Sequence, residues 1–470
     1  MKLMQYLQKN RLFFVLLFVV LLIHLILMFS FREIWWDSGV YAAMGKYLFS
    51  AGSAGLWEHI RPPLLPAVLG FIWILGFDII VCGMILELLC SLGAIILLYE
   101  ITKHYFKEKT ALFASAIFAF SSIFFYLSFH LYTEVPAIFL VLLAVYLFIL
   151  KKYYWSGAII ALAFLAKFPA GLFLIPLLIV LIIDKDLKSS AKVLAGFAIL
   201  LAPVLVAYQI IYSNALLPFI DARHAILNVL GCNVLRFKPW WHYIYLIISE
   251  NALNLFAIIG IIGFFRRFNK SKLLPLLCLA VPLIYFTQLH CRDARYLVLF
   301  IPFVAMFSGL GLTYFMDSFQ KQKKQIFTLM LLLVLGFSVF NGAQFFTSQE
   351  SALNPSAETY YLFLEDKEIS KEVWSSNPIV AFFTDARIEK IYYPVYNAEV
   401  AADFHNYLKK NAEKIQYVLL DNCGGGIICA EDDKTCQEEH KKTQTLLDNR
   451  FKKVLDEKHG RCFYKVYENN

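Results

Sequence analysis

Apolar runs of close to twenty residues recur along this chain with short connections between them, the first at 12–30 and the last at 326–346. Crossing a hydrocarbon core of about 30 Å takes roughly 20 helical residues, so the pattern predicts a polytopic α-helical membrane protein. About eleven runs fit that ruler: 12–30, 78–100, 110–128, 134–150, 154–169, 170–184, 191–212, 243–265, 272–289, 296–316 and 326–346. Composition agrees. Of the 470 residues 60% are hydrophobic and 17% aromatic, and the mean hydropathy of +0.62 excludes a soluble globule of this length.

The connections differ in charge. Lys103, Lys107 and Lys109, then Lys151 and Lys152, then Lys185, Lys188 and Lys192, then Arg266, Arg267, Lys270 and Lys272, then Lys321, Lys323 and Lys324 all fall on the side of the amino terminus. Basic residues collect in cytoplasmic loops. The amino terminus is therefore expected in the cytoplasm, with 12–30 a retained signal-anchor in a multi-pass cell-membrane protein. An odd number of spans then puts 347–470 outside. The stretch 63–76 is apolar but short, and reading it as a re-entrant or surface helix preserves that parity. The whole carries +8, yet 347–470 has 16 Lys and Arg against 21 Asp and Glu, so the tail is −5 and the rest +13. Such a distribution reports orientation and anionic lipid; the lipid bilayer is the expected partner and nucleic acid is not.

Two domains are expected: a membrane domain at 1–346, with its first external loop at 31–77, and a small extracytoplasmic α/β domain at 347–470. In the second, apolar runs at 379–383, 417–420 and 462–466 read as strands between amphipathic stretches such as 398–414. Cys423, Cys429, Cys436 and Cys462 lie on the oxidising side, where disulfides in any of three pairings are expected. A zinc site is the rival reading, although no CxxC spacing supports it. The other five cysteines read as packing residues of apolar segments.

The outward connections hold the polar residues that need explaining. Trp35-Trp36-Asp37-Ser38-Gly39-Val40-Tyr41 leaves the first run, and indole rings favour the hydrocarbon–headgroup boundary. Asp37 is thus expected at the outer membrane surface, opening a short helix that lies along it. His59 and Arg61-Pro62-Pro63-Leu64 follow. Glu134 precedes Pro136, Lys167 ends another run, and His290-Cys291-Arg292-Asp293-Ala294-Arg295-Tyr296 enters a late one. Cations on the outer side run against the orientation rule and are best accommodated where they bind an anion such as a lipid phosphate. A carboxylate and several cations on one membrane face suit group transfer from such a phosphate. Asp37 would take the proton of an acceptor hydroxyl or amine, while Lys167, Arg292 and Arg295 would neutralise the departing phosphate. The competing readings are structural: Asp37 or Glu134 as helix caps, Lys167 snorkelling, Arg292 with Asp293 as a surface ion pair, and His59 and His290 as hydrogen-bonded loop residues.

At these residues the chain resembles the GT-C membrane glycosyltransferases of the protein O-mannosyltransferase and lipid A aminoarabinose transferase type. The shared elements are Asp37 in the first external loop, Arg61-Pro62-Pro63-Leu64, Glu134-Val135-Pro136, Lys167, and 290–296 with Pro302, over about residues 1–320. The resemblance implies a GT-C-like fold, a polyprenyl-phosphate-linked sugar donor, a lipid, protein or glycan acceptor, and an inverting extracytoplasmic transfer with Asp37 as catalytic base. It also implies donor-phosphate contacts from Lys167, Arg292, Arg295 and Arg61, and positioning roles for Glu134, His290, Tyr296, Tyr41 and His59. No metal ligands are assigned, and a divalent metal stays open as a cofactor. The family often has Asp-Glu where this chain has Asp37-Ser38, which leaves the acceptor class open. A transporter or a lipid or glycan flippase is the alternative from another class. Such proteins place ionisable groups near the midplane, often in repeated halves; here Glu87 stands alone as an acidic residue within a confident run, and no repeat is detected.

Overall fold

The computed structural model describes residues 8, 10–28, 35–224, 238–266, 270–289, 291–348, 355–391, 398–423, 429 and 433–469. The chain divides into two compact units, one of residues 1–30, 84–223 and 236–350, the other of residues 31–83, 224–235 and 351–470. The expected division at 346/347 left the first external loop with the membrane helices, whereas here that loop clusters with the C-terminal residues.

The first unit is helical. Among the described residues of the whole chain, two helices, Ile79–Tyr105 and Leu187–Tyr212, are long and apolar enough to cross a membrane by length and composition. The helix Lys323–Ser348 covers the expected run at 326–346, and the other apolar helices are shorter than the expected runs or interrupted. The run at 110–128 is broken into Glu108–Ala119 and Ser122–Leu127. At the break the Glu250 carboxylate accepts hydrogen bonds from Ser121 Oγ (3.1 Å) and the Ile123 backbone N–H (2.6 Å). The run at 243–265 divides into His242–Glu250, a 3-10 turn Ala252–Leu255 and Phe256–Arg266. Non-helical backbone at membrane depth is tolerated only where other groups satisfy it, and Glu250 serves both breaks by ending one and bonding the other. Small residues let the helices approach. A Cβ at Gly311 would lie 1.9 Å from the Phe256 carbonyl oxygen, so Ile301–Asp317 and Phe256–Arg266 meet backbone to backbone.

The second unit holds a five-stranded sheet in the order β2-β1-β3-β5-β4. The strands are β1 (Glu372–Ser375), β2 (Ile388–Lys390), β3 (Ile415–Asp421), β4 (Lys452–His459) and β5 (Cys462–Glu468). β1 pairs in parallel with β2 and β3, and β5 pairs antiparallel with β3 and β4. The expected strands at 417–420 and 462–466 fall in β3 and β5, and the amphipathic stretch becomes the helix Ala398–Asn411. The run at 379–383 is not a strand. Pro378–Phe382 forms a 3-10 turn instead, opened by a proline that cannot donate to a ladder and by Asn377, whose side-chain oxygen accepts the Ile379 N–H at 3.0 Å.

That turn is what residues 36–56 pack on. Trp36, Val40, Met44 and Leu56 are buried in one core with Ile379, Val380, Tyr417 and Val466. Gly39 permits the closest approach, since a Cβ there would sit 2.8 Å from the Ile379 backbone nitrogen. Leu64–Ile74 follows as an eleven-residue helix, too short to cross hydrocarbon.

Candidate active site

Asp37 lies in the first turn of the helix Trp36–Phe49. The N-cap position belongs to Trp35 and no side chain caps the helix, so Asp37 is not held there as a cap. Its carboxylate instead meets Arg61 Nη1 at 2.8 Å. Arg61 Nε donates to Glu58 Oε2 at 3.0 Å, and the guanidinium lies 5.7 Å from the centroid of the buried Tyr41 ring. Glu58 in turn pairs with Lys390 Nζ at the end of β2. Lys390, Glu58, Arg61 and Asp37 thus make a row of alternating charge. Burial alone would lower the Arg61 pKa, but Asp37 and Glu58 hold it well above its usual value. Burial would raise Glu58, yet Lys390 and Arg61 bring it below the ordinary carboxylate value. Lys390 is pressed down to about 8 by burial, with Glu58 resisting. His59 is half-buried in the turn between Glu58 and Arg61.

A second cluster forms in the helical unit. Glu134, 1% exposed, opens the helix Glu134–Ile149 and accepts from Lys167 Nζ at 2.6 Å. Lys167 ends the helix Tyr153–Ala166 in extended backbone, and its ammonium lies 5.2 Å from the Tyr296 ring centroid. Arg295 Nε approaches Glu134 Oε1 at 4.0 Å, and Arg295 grips Asp293 Oδ2 through Nε (3.1 Å) and Nη2 (2.9 Å). The Arg295 guanidinium lies 5.5 Å from the Tyr132 ring. Tyr296 stacks on Phe286 with centroids 4.7 Å apart. The sequence-predicted Glu134, Lys167, Arg295 and Tyr296 are therefore brought together. Arg292 has other partners, donating to the backbone carbonyls of Lys238 and Thr287 (2.6 Å to the latter), and the ion pair with Asp293 is made by Arg295 instead. His290 lies outside the described residues.

Sequence reasoning missed Glu58 and Lys390. Glu58 could have been found from its spacing, three residues before Arg61, whereas nothing local marks Lys390. It also missed Asp421, fully buried at the end of β3, whose carboxylate accepts from Ser376 Oγ (2.9 Å) and Asn377 Nδ2 (3.2 Å). Burial pushes Asp421 up to about 7. Of the three cysteine pairings, the structure has Cys423–Cys462 and Cys429–Cys436, which removes the zinc reading. Cys291, expected as a packing residue, is disulfide-bonded as well. Among the described residues no group of three or more His, Cys, Asp or Glu is placed to hold a metal.

The dolichyl-phosphate-mannose-protein mannosyltransferase family matches residues 60–209, a minority of the chain. No curated protein sequence matches. In three dimensions the chain is similar to ArnT from Cupriavidus metallidurans bound to undecaprenyl phosphate, with a TM-score of 0.67 and 11% identity over 98% of each chain. It is also similar to the oligosaccharyltransferase of Archaeoglobus fulgidus in its apo form, with a TM-score of 0.62 and 12% identity over 87% of this chain and 69% of that one. The same enzyme tethered to an acceptor peptide containing the NVT sequon matches at 0.61 and 11% identity, over 99% of this chain and 75% of that one. The resemblance read in the sequence is thus met by the fold.

Proposed function

We propose that this chain, which has the fold of the GT-C glycosyltransferases, is an integral membrane glycosyltransferase that moves a sugar from a polyprenyl-phosphate carrier to an acceptor on the extracytoplasmic side. The observation that carries this reading is the Asp37–Arg61 pair at 2.8 Å, a carboxylate oriented by a guanidinium in the first external loop. ArnT, the similar protein of known lipid complex, was crystallised with undecaprenyl phosphate, which supports a carrier of that class here.

In the proposed reaction the acceptor oxygen or nitrogen attacks the anomeric carbon from the face opposite the phosphate, so the configuration inverts. Asp37 takes the acceptor proton. The bond from the anomeric carbon to the phosphate oxygen breaks, its electron pair leaves with the polyprenyl phosphate, and the N–H groups of Arg61 meet the new charge. Lys167 and Arg295, in the helical unit's own cluster, are assigned to phosphate binding. A guanidinium carries five N–H groups in a fixed fork, and Arg61 uses some on Glu58 and Asp37. Tyr41 lies against Arg61, and Tyr296 against Lys167, which keeps each cation placed. Glu134 orients Lys167, and Arg292, tied to two carbonyls, holds the loop that carries Arg295. His59 is assigned to positioning in its loop.

The proposed orientation has the amino terminus in the cytoplasm, about eleven crossings, and residues 347–470 outside. Disulfides persist in oxidising compartments, and both Cys291 and the C-terminal cysteines are bonded, which supports a common outer side for their loops. The test is reconstitution in liposomes with a polyprenyl-phosphate sugar and candidate acceptors. Acceptor-dependent release of polyprenyl phosphate is expected. Movement of the sugar lipid between leaflets with its sugar–phosphate bond intact would overturn the proposal in favour of a flippase.

A further inference from the structure

The C-terminal sheet is built into the stretch that carries Asp37. Gly55 N–H donates to the Ala386 carbonyl (2.9 Å), and Ile388 N–H donates to the Gly55 carbonyl (2.8 Å), so the start of β2 is hydrogen-bonded along the loop. Lys46, from the same helix as Asp37, donates to the carbonyls of Phe382 (3.2 Å) and Thr384 (3.0 Å) and pairs with Asp385 at 2.9 Å. Between these ties, β2 ends on Lys390. Its side chain is only 10% exposed, and it meets Glu58, whose side chain is 3% exposed.

We infer that Lys390 is a positioning residue for the Asp37–Arg61 pair, acting through Glu58. This rests on the glycosyltransferase reading of that pair. Arg61 faces two carboxylates, Glu58 on its Nε edge at 3.0 Å and Asp37 on Nη1 at 2.8 Å. Lys390 neutralises Glu58 from the other side. With Lys390 in place, Glu58 is a fixed mount that sets the plane of the Arg61 fork. Without it, a buried carboxylate keeps one cation as its sole neutralising partner in this row, and Arg61 is drawn toward Glu58 and away from Asp37. A buried charge that loses its partner reorganises what remains. Catalytic geometry is sensitive to shifts of about 1 Å, which cost on the order of a hundredfold in rate. The C-terminal domain thereby acts on the chemistry without touching the donor or the acceptor. The Lys390 ammonium also lies 5.9 Å from the ring of Trp36, the residue before Asp37.

The experiment compares full-length Lys390→Met, Lys390→Arg, Glu58→Gln and the double variant Lys390→Met with Glu58→Gln, reconstituted with a polyprenyl-phosphate sugar. Lys390→Met is expected to lower kcat by about a hundredfold with a smaller change in donor KM, and Lys390→Arg to restore it to within a few-fold. The double variant should transfer faster than Lys390→Met alone, because the orphaned carboxylate is gone. A purely structural role for Lys390 predicts that the double variant recovers the unfolding midpoint while kcat per folded enzyme stays the same in Lys390→Met as in the unmodified chain. Hydrogen exchange over residues 56–63, including the Arg61 N–H bonded to the Glu58 carbonyl at 3.0 Å, reads the positioning without turnover and should quicken in Lys390→Met while β3 stays protected. Unchanged exchange and unchanged kcat in Lys390→Met would overturn the inference. Full transfer by Asp37→Asn in the same preparation would instead sink the reading of Asp37 and leave the exchange result to decide the role of Lys390.

Discussion

The Asp37 carboxylate and the Arg61 guanidinium meet at 2.8 Å, with Glu58 accepting from the opposite edge of the same fork at 3.0 Å. A planar fork can hold two carboxylates at a fixed angle, and an ammonium cannot. Arg61→Lys is therefore expected to keep the charge and lose the geometry. Transfer should fall by ten- to a hundredfold, with expression and membrane insertion intact, as measured by initial rates in liposomes.

Gly39 has no room for a side chain. A Cβ would lie 2.8 Å from the Ile379 nitrogen and 2.9 Å from the Pro378 carbonyl carbon, both backbone atoms that cannot rotate away. Gly39→Ala should push the helix Trp36–Phe49 off the 3-10 turn and move Asp37 with it. Transfer is expected to fall by at least tenfold and exchange in residues 376–383 to rise. The control Gly76→Ala should leave transfer unaffected, since nothing lies near that position, although its positive φ of 78° costs about 1 kcal/mol locally.

Lys167 and Glu134 form a pair at 2.6 Å in which Glu134 is 1% exposed. Removing one partner of a fully buried ion pair costs about 3–5 kcal/mol because the other charge is left behind, and Arg295 at 4.0 Å from Glu134 offsets part of that cost here. Lys167→Met should lower the unfolding midpoint in detergent. Adding Glu134→Gln should recover most of that loss without restoring transfer, which separates the structural part of the pair from its proposed phosphate contact.

Asp421 gives the sheet a dependence on pH. Its carboxyl faces Ser376 and Asn377, with the Tyr360 and Tyr361 rings beside it, and burial raises it from its ordinary 3.8 to about 7. A folded pKa above the unfolded one means the stabilisation is complete below about 4 and lost as pH rises through about 7. Protection of the β3 amides, corrected for intrinsic exchange, should fall by a few kcal/mol over that window. In Asp421→Asn the dependence should flatten.

Much of this was legible before any coordinates. The apolar runs and the charged connections announced a helical membrane protein, and β3 and β5 followed from short apolar runs between amphipathic ones. Local pattern failed where a distant partner decides the outcome. The run at 379–383 has strand composition, yet Pro378 and the Asn377 cap bend it into a turn that packs on Gly39. The runs at 110–128 and 243–265 are apolar throughout, and the Glu250 contact that lets them break is a tertiary one. Asp37 and Arg61 stand out because both lie in the one connection, 31–77, between the first two apolar runs. Lys390 did not, because a lysine on a three-residue strand has no signature until β2 is laid against Gly55 and Glu58. Cys291 reads as packing in the sequence because nothing in its spacing marks it as bonded.

The central claim is that Asp37 accepts the acceptor proton. It is tested most directly by single-turnover transfer with Asp37→Asn, an isosteric change that keeps a hydrogen-bond acceptor for Arg61 and removes the base. The account predicts that donor binding stays within a few-fold of the unmodified chain while transfer falls by a factor of 10²–10⁴, the usual contribution of general-base catalysis. Transfer at the unmodified rate, with donor binding unchanged, would contradict it.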